Sequence, residues 1–180
     1  TATGVIDGYD PSNVEEGVRR LMDALAQGEQ IAGHNIISFD LPALSKLYPD
    51  FVVSRAQRPQ IIDTLILSRL IYSNLETTDL GLMRSGQLPS KLYKSHSLKA
   101  WGYRLGEYKG DYGEQENAWE TYSPEMLAYC KQDVAVTVKL YARLTKGSYS
   151  PCAITLEHEV AWLMAQQERN GFPFDKDGAE

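Results

Sequence analysis

Tyr129 and Asp133 could act together on a substrate, because they stand four residues apart in a stretch with helical periodicity. That spacing places both side chains on one flank of a helix, directed at a common point. A phenol and a carboxylate there could position a water molecule and hold a metal ion. Taken alone, the pair more often means a half-buried packing tyrosine beside a solvated charge. The motif is therefore weak without a second group.

Asp40 is the second candidate, since it follows His34 and Asn35 across a predicted strand-to-helix turn. The unpaired N–H groups at a helix start should hold its carboxylate ionised. An ionised carboxylate at the carboxyl end of a strand is a good ligand for a hard cation. The alternative is an N-cap aspartate with no further role.

The elements that would position these groups alternate between strand and helix. The predicted strands are Thr3 to Ile6, Gln30 to Asn35 and Ile61-Ile62. The predicted helices cover residues 14–25, Ser38 to Leu47, and a segment capped by Asp63 or Thr64 that runs through Tyr72. Repeated strand-to-helix units indicate an α/β fold with a mostly parallel sheet flanked by helices. Ligands bind beyond the carboxyl ends of strands in such sheets, which is where Asp40 falls.

The second half of the chain is predicted to be mainly helical. Residues 75–95 combine glycines and a proline with little periodicity, which predicts a long irregular insertion. A helix is predicted to start at Ser123-Pro124-Glu125 and run to Gly147. Its predicted packing stripe is Leu127, Cys130, Val134, Val138 and Tyr141. A last helix from Thr155 to Asn170 is predicted to pack through Leu156, Val160, Leu163 and Met164.

Bulk composition excludes several classes of protein. The 180 residues are 43% hydrophobic, enough for one core. No apolar run approaches the roughly 18 residues that a membrane helix needs, and no targeting signal is visible, so we expect a cytoplasmic protein with no membrane partner. Cys130 and Cys152 are too few for a disulfide framework, and we predict reduced packing residues. A net charge of −6 argues against nonspecific coating of nucleic acid.

Longer stretches of sequence are more specific than either short motif. Gly33-His34-Asn35-x-x-x-Phe39-Asp40 and Tyr129-x-x-x-Asp133 resemble the second and third motifs of the DEDD exonuclease superfamily, tyrosine subtype. Residues 62–70, 73–75, 82–86, 95–106 and 168–175 resemble the replicative family A DNA polymerases of T-odd phages. The resemblance covers nearly the whole chain. It implies a ribonuclease H-like 3′ to 5′ proofreading exonuclease domain over 1–148, then a junction helix and the start of a polymerase domain over 149–180.

The resemblance also implies roles for the candidate residues. Asp40 and Asp133 would be ligands of two divalent cations, Mg²⁺ or Mn²⁺, and Tyr129 would orient the attacking water. The substrate would be a single-stranded DNA 3′ end. The partner would be the remainder of a polymerase chain in the host cytoplasm.

One part of the family pattern is absent from the sequence. The first motif, Asp-x-Glu, supplies the other two carboxylates, and no Asp-x-Glu occurs in the 180 residues. Asp7 and Asp10 lie downstream of where that motif belongs, and they are predicted to be turn and cap residues. We therefore expect little activity from the chain alone. We also expect its sheet to lack two central strands next to Thr3 to Ile6, which would make it only marginally stable.

Residues 84–109 form a basic segment in an otherwise acidic chain, since they hold six basic residues and the single acidic residue Glu107. Tyr93, Trp101, Tyr103 and Tyr108 lie among the basic residues, a pattern that suits a groove for single-stranded DNA. With the second motif, the predicted DNA contacts are His34, Asn35, Phe39, Arg84, Lys91, Lys94, Lys99 and Arg104. The alternative is a solvated loop before a helix with core aromatics, which is favoured for Trp101.

Two other classes of function stay open at this point. The main alternative is a DNA-binding remnant that has kept the groove and lost catalysis. The third class is an interaction module, for which the sequence shows no exposed apolar stripe. Among the histidines, His34 is predicted to hold the turn before Asp40, and His96 and His158 are predicted to lie at helix starts.

Overall fold

The structure is a computed structural model that describes residues 6–107, 112–114, 117–175 and 177–179. Its strands are β1 (Ile31–Gly33) and β2 (Ile61–Asp63). Its helices are α1 (Val14–Ala26), α2 (Asp40–Leu47), α3 (Thr64–Ile71), α4 (Glu76–Arg84), α5 (Leu98–Leu105), α6 (Pro124–Leu144) and α7 (Pro151–Asn170). Short 3-10 turns cover Arg55–Gln60, Ser90–Leu92, Tyr112–Glu114 and Asp177–Ala179. The predicted strand at Thr3 to Ile6 lies outside the described residues except for Ile6, which is exposed and irregular.

The two described strands are parallel. Ile31 pairs with Ile61, Ala32 with Ile62, and Gly33 with Asp63. Each strand is followed by a helix. A short loop after Gly33 leads into α2, and Asp63, the last residue of β2, is itself the N-cap of α3. The predicted α/β class with parallel strands is confirmed.

Helices cover this small sheet and form the core with it. α6 packs against α3, α5 and β1, and α7 packs against α3. One core cluster joins α1, α2, the strands and α7; it consists of Val18, Leu25, Ile36, Ile37, Leu41, Phe51, Ile61, Trp162 and Ala165. A second joins α3, α5 and α6; it consists of Leu67, Leu75, Trp101, Leu140 and Leu144. The boundary predicted at residue 148 stays a prediction, and α7 beyond it contributes to the first cluster.

Asp10 behaves as predicted, as a turn residue. Its Oδ1 accepts the N–H of Ser12 at 2.8 Å, and its own N–H donates to Asn13 Oδ1 at 2.7 Å. These hydrogen bonds close the turn that leads into α1. The hydroxyl of Ser12 also donates to Oδ1 and is the main cause of the lowered pKa of Asp10, and the N–H of Ser12 adds to it. Asp7 forms an exposed ion pair with Arg20 instead.

The predicted irregular insertion at residues 75–95 is wrong, because the structure contains α4 and a 3-10 turn there. The reason is a third core cluster of Leu88, Leu92 and Ala100, against which Leu82, Met83 and Tyr103 pack. Apolar burial against α5 orders a segment whose glycines suggested a loop. Trp101 on α5 is buried, which confirms its predicted place in the core.

The packing stripe predicted for α6 is also wrong. The buried residues of this helix are Val136, Leu140 and Leu144, whereas Val134 and Val138 are exposed. At 100° per residue, the predicted stripe lies roughly 120° around the helix from the buried one. Both stripes are apolar, so periodicity alone could not choose between them. Cys130 shares the exposed side, and Cys152 is exposed as well, so neither cysteine is a packing residue.

Helix α7 packs through the face opposite to the predicted one. His158, Trp162 and Ala165 are buried, while Leu156, Val160 and Leu163 are exposed. An exposed apolar stripe is therefore present among the described residues, contrary to the expectation from sequence. His158 lies in the second turn of α7 rather than at a helix start, while His96 directly precedes the N-cap Ser97 of α5 as predicted.

His158 fastens α7 to the end of β2. Its Nε2 accepts the backbone N–H of Asp63 at 3.0 Å, and its Nδ1 lies 2.8 Å from the carbonyl oxygen of Ile154. A carbonyl oxygen only accepts, so Nδ1 carries the hydrogen and Nε2 provides the lone pair. Both ring nitrogens of this buried residue are therefore used.

Replacing His158 by phenylalanine should lower the free energy of unfolding by about 2 kcal/mol, because the buried N–H of Asp63 would lose its acceptor. His158→Gln should cost less, since its amide oxygen can accept the same hydrogen bond. Urea unfolding of the chain, followed by circular dichroism, measures both values. The exposed neighbour variant Glu157→Gln is the control. Equal stability of His158→Phe and Glu157→Gln would contradict this role.

Candidate active site

The carboxyl ends of β1 and β2 are joined by the buried carboxylate of Asp63. Its Oδ1 accepts the N–H groups of Asn35 and Leu65, both at 2.9 Å, and its Oδ2 accepts the N–H of Ile37 at 3.2 Å. Strand pairing places Gly33 opposite Asp63, which brings this carboxylate under the loop that leaves β1. Asp63 thus caps the N-terminus of α3 and also holds the loop before Asp40 through hydrogen bonds to its backbone.

His34 is held in the same loop by Thr64. The Thr64 hydroxyl donates to the carbonyl oxygen of Gly33 at 3.1 Å and lies 2.9 Å from Nδ1 of His34. Because the hydroxyl hydrogen is used on Gly33, His34 Nδ1 is the donor in the second contact. The predicted role of His34 in holding the turn agrees with this contact. Asn35 follows with a φ of 62°, a left-handed conformation that asparagine tolerates well.

Asp40 is the first residue of α2, directly after the exposed Phe39. The pKa of Asp40 is raised, although the N–H groups at a helix start act in the opposite direction. Desolvation of the carboxyl by surrounding protein atoms is the main cause, the charge of Asp63 adds to it, and the N–H of Asp40 itself opposes it. The carboxylates of Asp40 and Asp63 therefore lie at the same edge of the sheet. The carboxyl group of Asp40 is partly desolvated, although the residue as a whole is exposed.

Tyr129 and Asp133 lie on the inward side of α6. Their spacing to Val136 and Leu140 continues the buried stripe of the helix toward its N-terminus, in steps of four, three and four residues. Both residues are half-buried. The same helix packs against β1, the strand that leads to Asp40.

The ring of Tyr129 sits in a cluster of three aromatic side chains. Its centroid lies 5.7 Å from that of Tyr112 and 5.8 Å from that of Trp119. Tyr112 and Trp119 meet edge to face, with centroids 5.8 Å apart. This cluster fixes the phenol at the start of α6.

The candidate metal ligands do not complete a metal site by themselves. Within the described ranges, no group of three or more His, Cys, Asp or Glu side chains is placed to hold a metal ion. Asp40 and Asp133 have the right donor chemistry for a hard cation, and a two-cation site needs more carboxylates than these two.

The predicted basic surface is present in part. Arg84, Lys91 and Lys94 are exposed, and Lys99 is half-buried. Lys94 forms an exposed ion pair with Glu76, with Nζ 2.7 Å from Oε2, so part of its charge is balanced. Tyr93 lies beside it, with the ammonium group 5.1 Å from the ring centroid. Lys109 and Tyr108 lie outside the described residues.

Arg104 does not belong to this surface, which corrects its predicted role as a DNA contact. Its side chain is 3% exposed, and Nε lies 2.8 Å from Oδ1 of Asp79 while Nη2 lies 2.9 Å from Oδ2. Nη1 donates to the carbonyl oxygen of Ser95 at 2.7 Å. All three nitrogens of the side chain form hydrogen bonds inside the fold. Arg104 therefore links α5 to α4 and to the backbone of Ser95.

Sequence reasoning missed the two buried carboxylates that organise this region. Asp63 was predicted only as a helix cap, and Asp79 was given no role. The signal for Asp63 was the strand register, because an aspartate opposite Gly33 must lie beside the His34-Asn35 loop. For Asp79 there was no local signal, since its partner stands 25 residues away.

No helix among the described residues is long and apolar enough to cross a membrane.

Comparison with known proteins gives a consistent picture. No family model matches the chain. It is 41% identical over 208 residues to the DNA-directed DNA polymerase of Escherichia phage T7, which covers 96% of the chain and 29% of that protein. It is 40% identical over 213 residues to the DNA-directed DNA polymerase of Enterobacteria phage T3, covering 98% of the chain and 30% of that protein. The chain thus spans less than a third of these relatives, and along nearly all of its own length it is similar to a part of a phage DNA-directed DNA polymerase.

Proposed function

We propose that these residues form part of the 3′ to 5′ proofreading exonuclease of a DNA-directed DNA polymerase. The observation that carries the proposal is the similarity to two phage polymerases over 96% and 98% of the chain. The placement of the candidate residues supports it. Asp40 follows a strand of the parallel pair, α6 packs against that strand, and Tyr129 and Asp133 continue the buried stripe of α6.

In this function, Asp40 and Asp133 contribute oxygen ligands for divalent cations, Mg²⁺ or Mn²⁺. When bound there, such cations would supply the charge that activates a water molecule and stabilises the leaving oxygen in the displacement at phosphorus. Tyr129 orients the attacking water through its hydroxyl and need not ionise. The remaining carboxylates come from the longer polymerase chain, which would be the partner of this segment in the host cytoplasm.

The DNA strand is held by the exposed parts of the region. Phe39 stands next to Asp40 and is 69% exposed, which gives a nucleobase an apolar surface to contact. Arg84, Lys91 and Lys94 are exposed and neutralise phosphates. His34 and Asn35 shape the loop that leads to Phe39, and Lys99 adds a half-buried charge.

Nucleotide release from a 3′-labelled single strand tests the proposal. The full product of the gene that encodes these residues should release labelled mononucleotides with Mg²⁺ or Mn²⁺. The 180 residues alone should release few or none, because two candidate carboxylates do not complete the cation site. Turnover by the short chain equal to that of the full product would contradict the proposed need for additional ligands.

A further inference from the structure

Trp119 presents an exposed indole directly beside Tyr129. The residue is 56% exposed, although it makes ring contacts with both Tyr112 and Tyr129. The contact with Tyr129 is close to edge-on, with an interplanar angle of 73°. A tryptophan that served packing alone would be covered to a greater extent, because indole carries a large apolar area.

The loop that carries Trp119 is tied to the start of α6. The Tyr112 hydroxyl donates to the carbonyl oxygen of Ala118 at 2.9 Å and lies 3.0 Å from Ser123 Oγ. Ser123 Oγ in turn accepts the N–H of Met126 and so caps α6. The indole is therefore held in place before any ligand arrives, which reduces the entropy cost of binding.

The indole edge and the Tyr129 hydroxyl meet at one point. A Cβ atom added at Gly113 would lie 3.2 Å from Cζ2 of Trp119 and 3.3 Å from the hydroxyl oxygen of Tyr129. The indole edge and the hydroxyl thus border one small space, which a side chain at position 113 would enter. A flat ligand on the indole would lie next to the hydroxyl that the proposed function uses to orient water.

We propose that Trp119 is a binding site for a nucleobase, on which the terminal base of the bound strand stacks beside Tyr129. The inference rests on the proposed function for the identity of the ligand. Every base has a π face, so stacking on an indole accepts any sequence, as a proofreading site requires. Trp119 contacts the substrate directly and holds the end of the strand while other groups act on the phosphate.

Kinetics with two substrates test the inference in the full gene product. Trp119→Ala should raise the KM for a single strand by about 5- to 150-fold, the equivalent of one stacked base, and change kcat little. Trp119→Phe keeps an aromatic face and should recover most of the loss. With a strand whose 3′-terminal nucleotide is abasic, wild type and Trp119→Ala should have the same KM. Tyr122→Ala, an exposed aromatic in the same loop, is the matched control and should behave as wild type.

A binding measurement without hydrolysis separates this inference from the proposed function. A strand ending in 2-aminopurine, bound in the presence of a chelator, should lose fluorescence on wild type and less on Trp119→Ala. If wild type releases nucleotides but both proteins have equal KM and equal quenching, the stacking site is wrong and the proposed function stands. If wild type quenches the 2-aminopurine fluorescence more than Trp119→Ala does but never releases nucleotides, the stacking site stands and the proposed function is wrong. An equal loss for Trp119→Ala on normal and abasic ends would overturn stacking, since it would show that the indole acts only by holding Tyr129.

Discussion

Asp40→Ala and Asp133→Ala in the full gene product are each expected to lower the rate of 3′-nucleotide release by about three orders of magnitude. Each change removes a carboxylate ligand of cations that stabilise the transition state by several kcal/mol. Tyr129→Phe should cost less, because it keeps the ring contacts with Tyr112 and Trp119 and leaves the carboxylates in place. The measurement is initial rate on a 3′-labelled single strand.

Two controls make this result specific. Asp23 is an exposed aspartate on α1, and Asp23→Ala should leave the rate unchanged. If the full product is a DNA polymerase, as proposed, its DNA synthesis should also be unchanged in these variants, which would exclude general unfolding. Equal losses in the Asp40, Asp133 and Tyr129 variants would contradict the separate roles assigned to carboxylates and phenol.

The second large effect is on stability and concerns the buried pair of Asp79 and Arg104. Arg104→Leu or Asp79→Leu alone should lower the free energy of unfolding by about 3 to 5 kcal/mol, because each leaves a buried charge without its partner. The double variant should lose much less than the sum of the two. The exposed pair of Lys94 and Glu76 is the comparison, and Glu76→Gln should cost less than about 1 kcal/mol. Urea unfolding gives all values, and an Arg104→Leu loss as small as that of Glu76→Gln would contradict the buried pair.

The same pair should make stability depend on pH in the acid range. Burial by itself would raise the pKa of Asp79, but hydrogen bonds from Arg104 and the N–H of Lys94 outweigh it and hold the pKa below its ordinary value. A folded-state pKa below the unfolded one stabilises the fold above the unfolded pKa, and the stabilisation is lost as pH falls through the folded pKa. The stability difference between wild type and Asp79→Asn should therefore be constant above about pH 5 and shrink below about pH 4.

Local sequence spacing predicted where the helices begin better than it predicted which of their faces are buried. The helices α1, α2, α3 and α6 begin within two residues of their predicted starts, because caps and turns are encoded by neighbouring residues. The buried sides of α6 and α7 were predicted wrongly, since each helix has a second apolar stripe and only the position of the other elements decides which is buried.

At the candidate site, too, local spacing identified residues but not the effects of contacts between elements. The residues Asp40, Tyr129 and Asp133 could be named from motif spacing. The raised pKa of Asp40 could not, because it depends on desolvation and on the charge of Asp63, which strand pairing brings close. Arg104 was assigned to the DNA surface for its charge, and only the contact with Asp79 removes it from there.

The direction of hydrolysis tests the central proposal most directly. Single strands labelled at the 3′ end or at the 5′ end are incubated with the full gene product and Mg²⁺. The account predicts immediate release of labelled mononucleotide from the 3′-labelled strand, progressive shortening of the 5′-labelled strand, and loss of both with a chelator or with Asp133→Ala. Labelled mononucleotide released first from the 5′ end, or release that Asp133→Ala leaves unchanged, would contradict it.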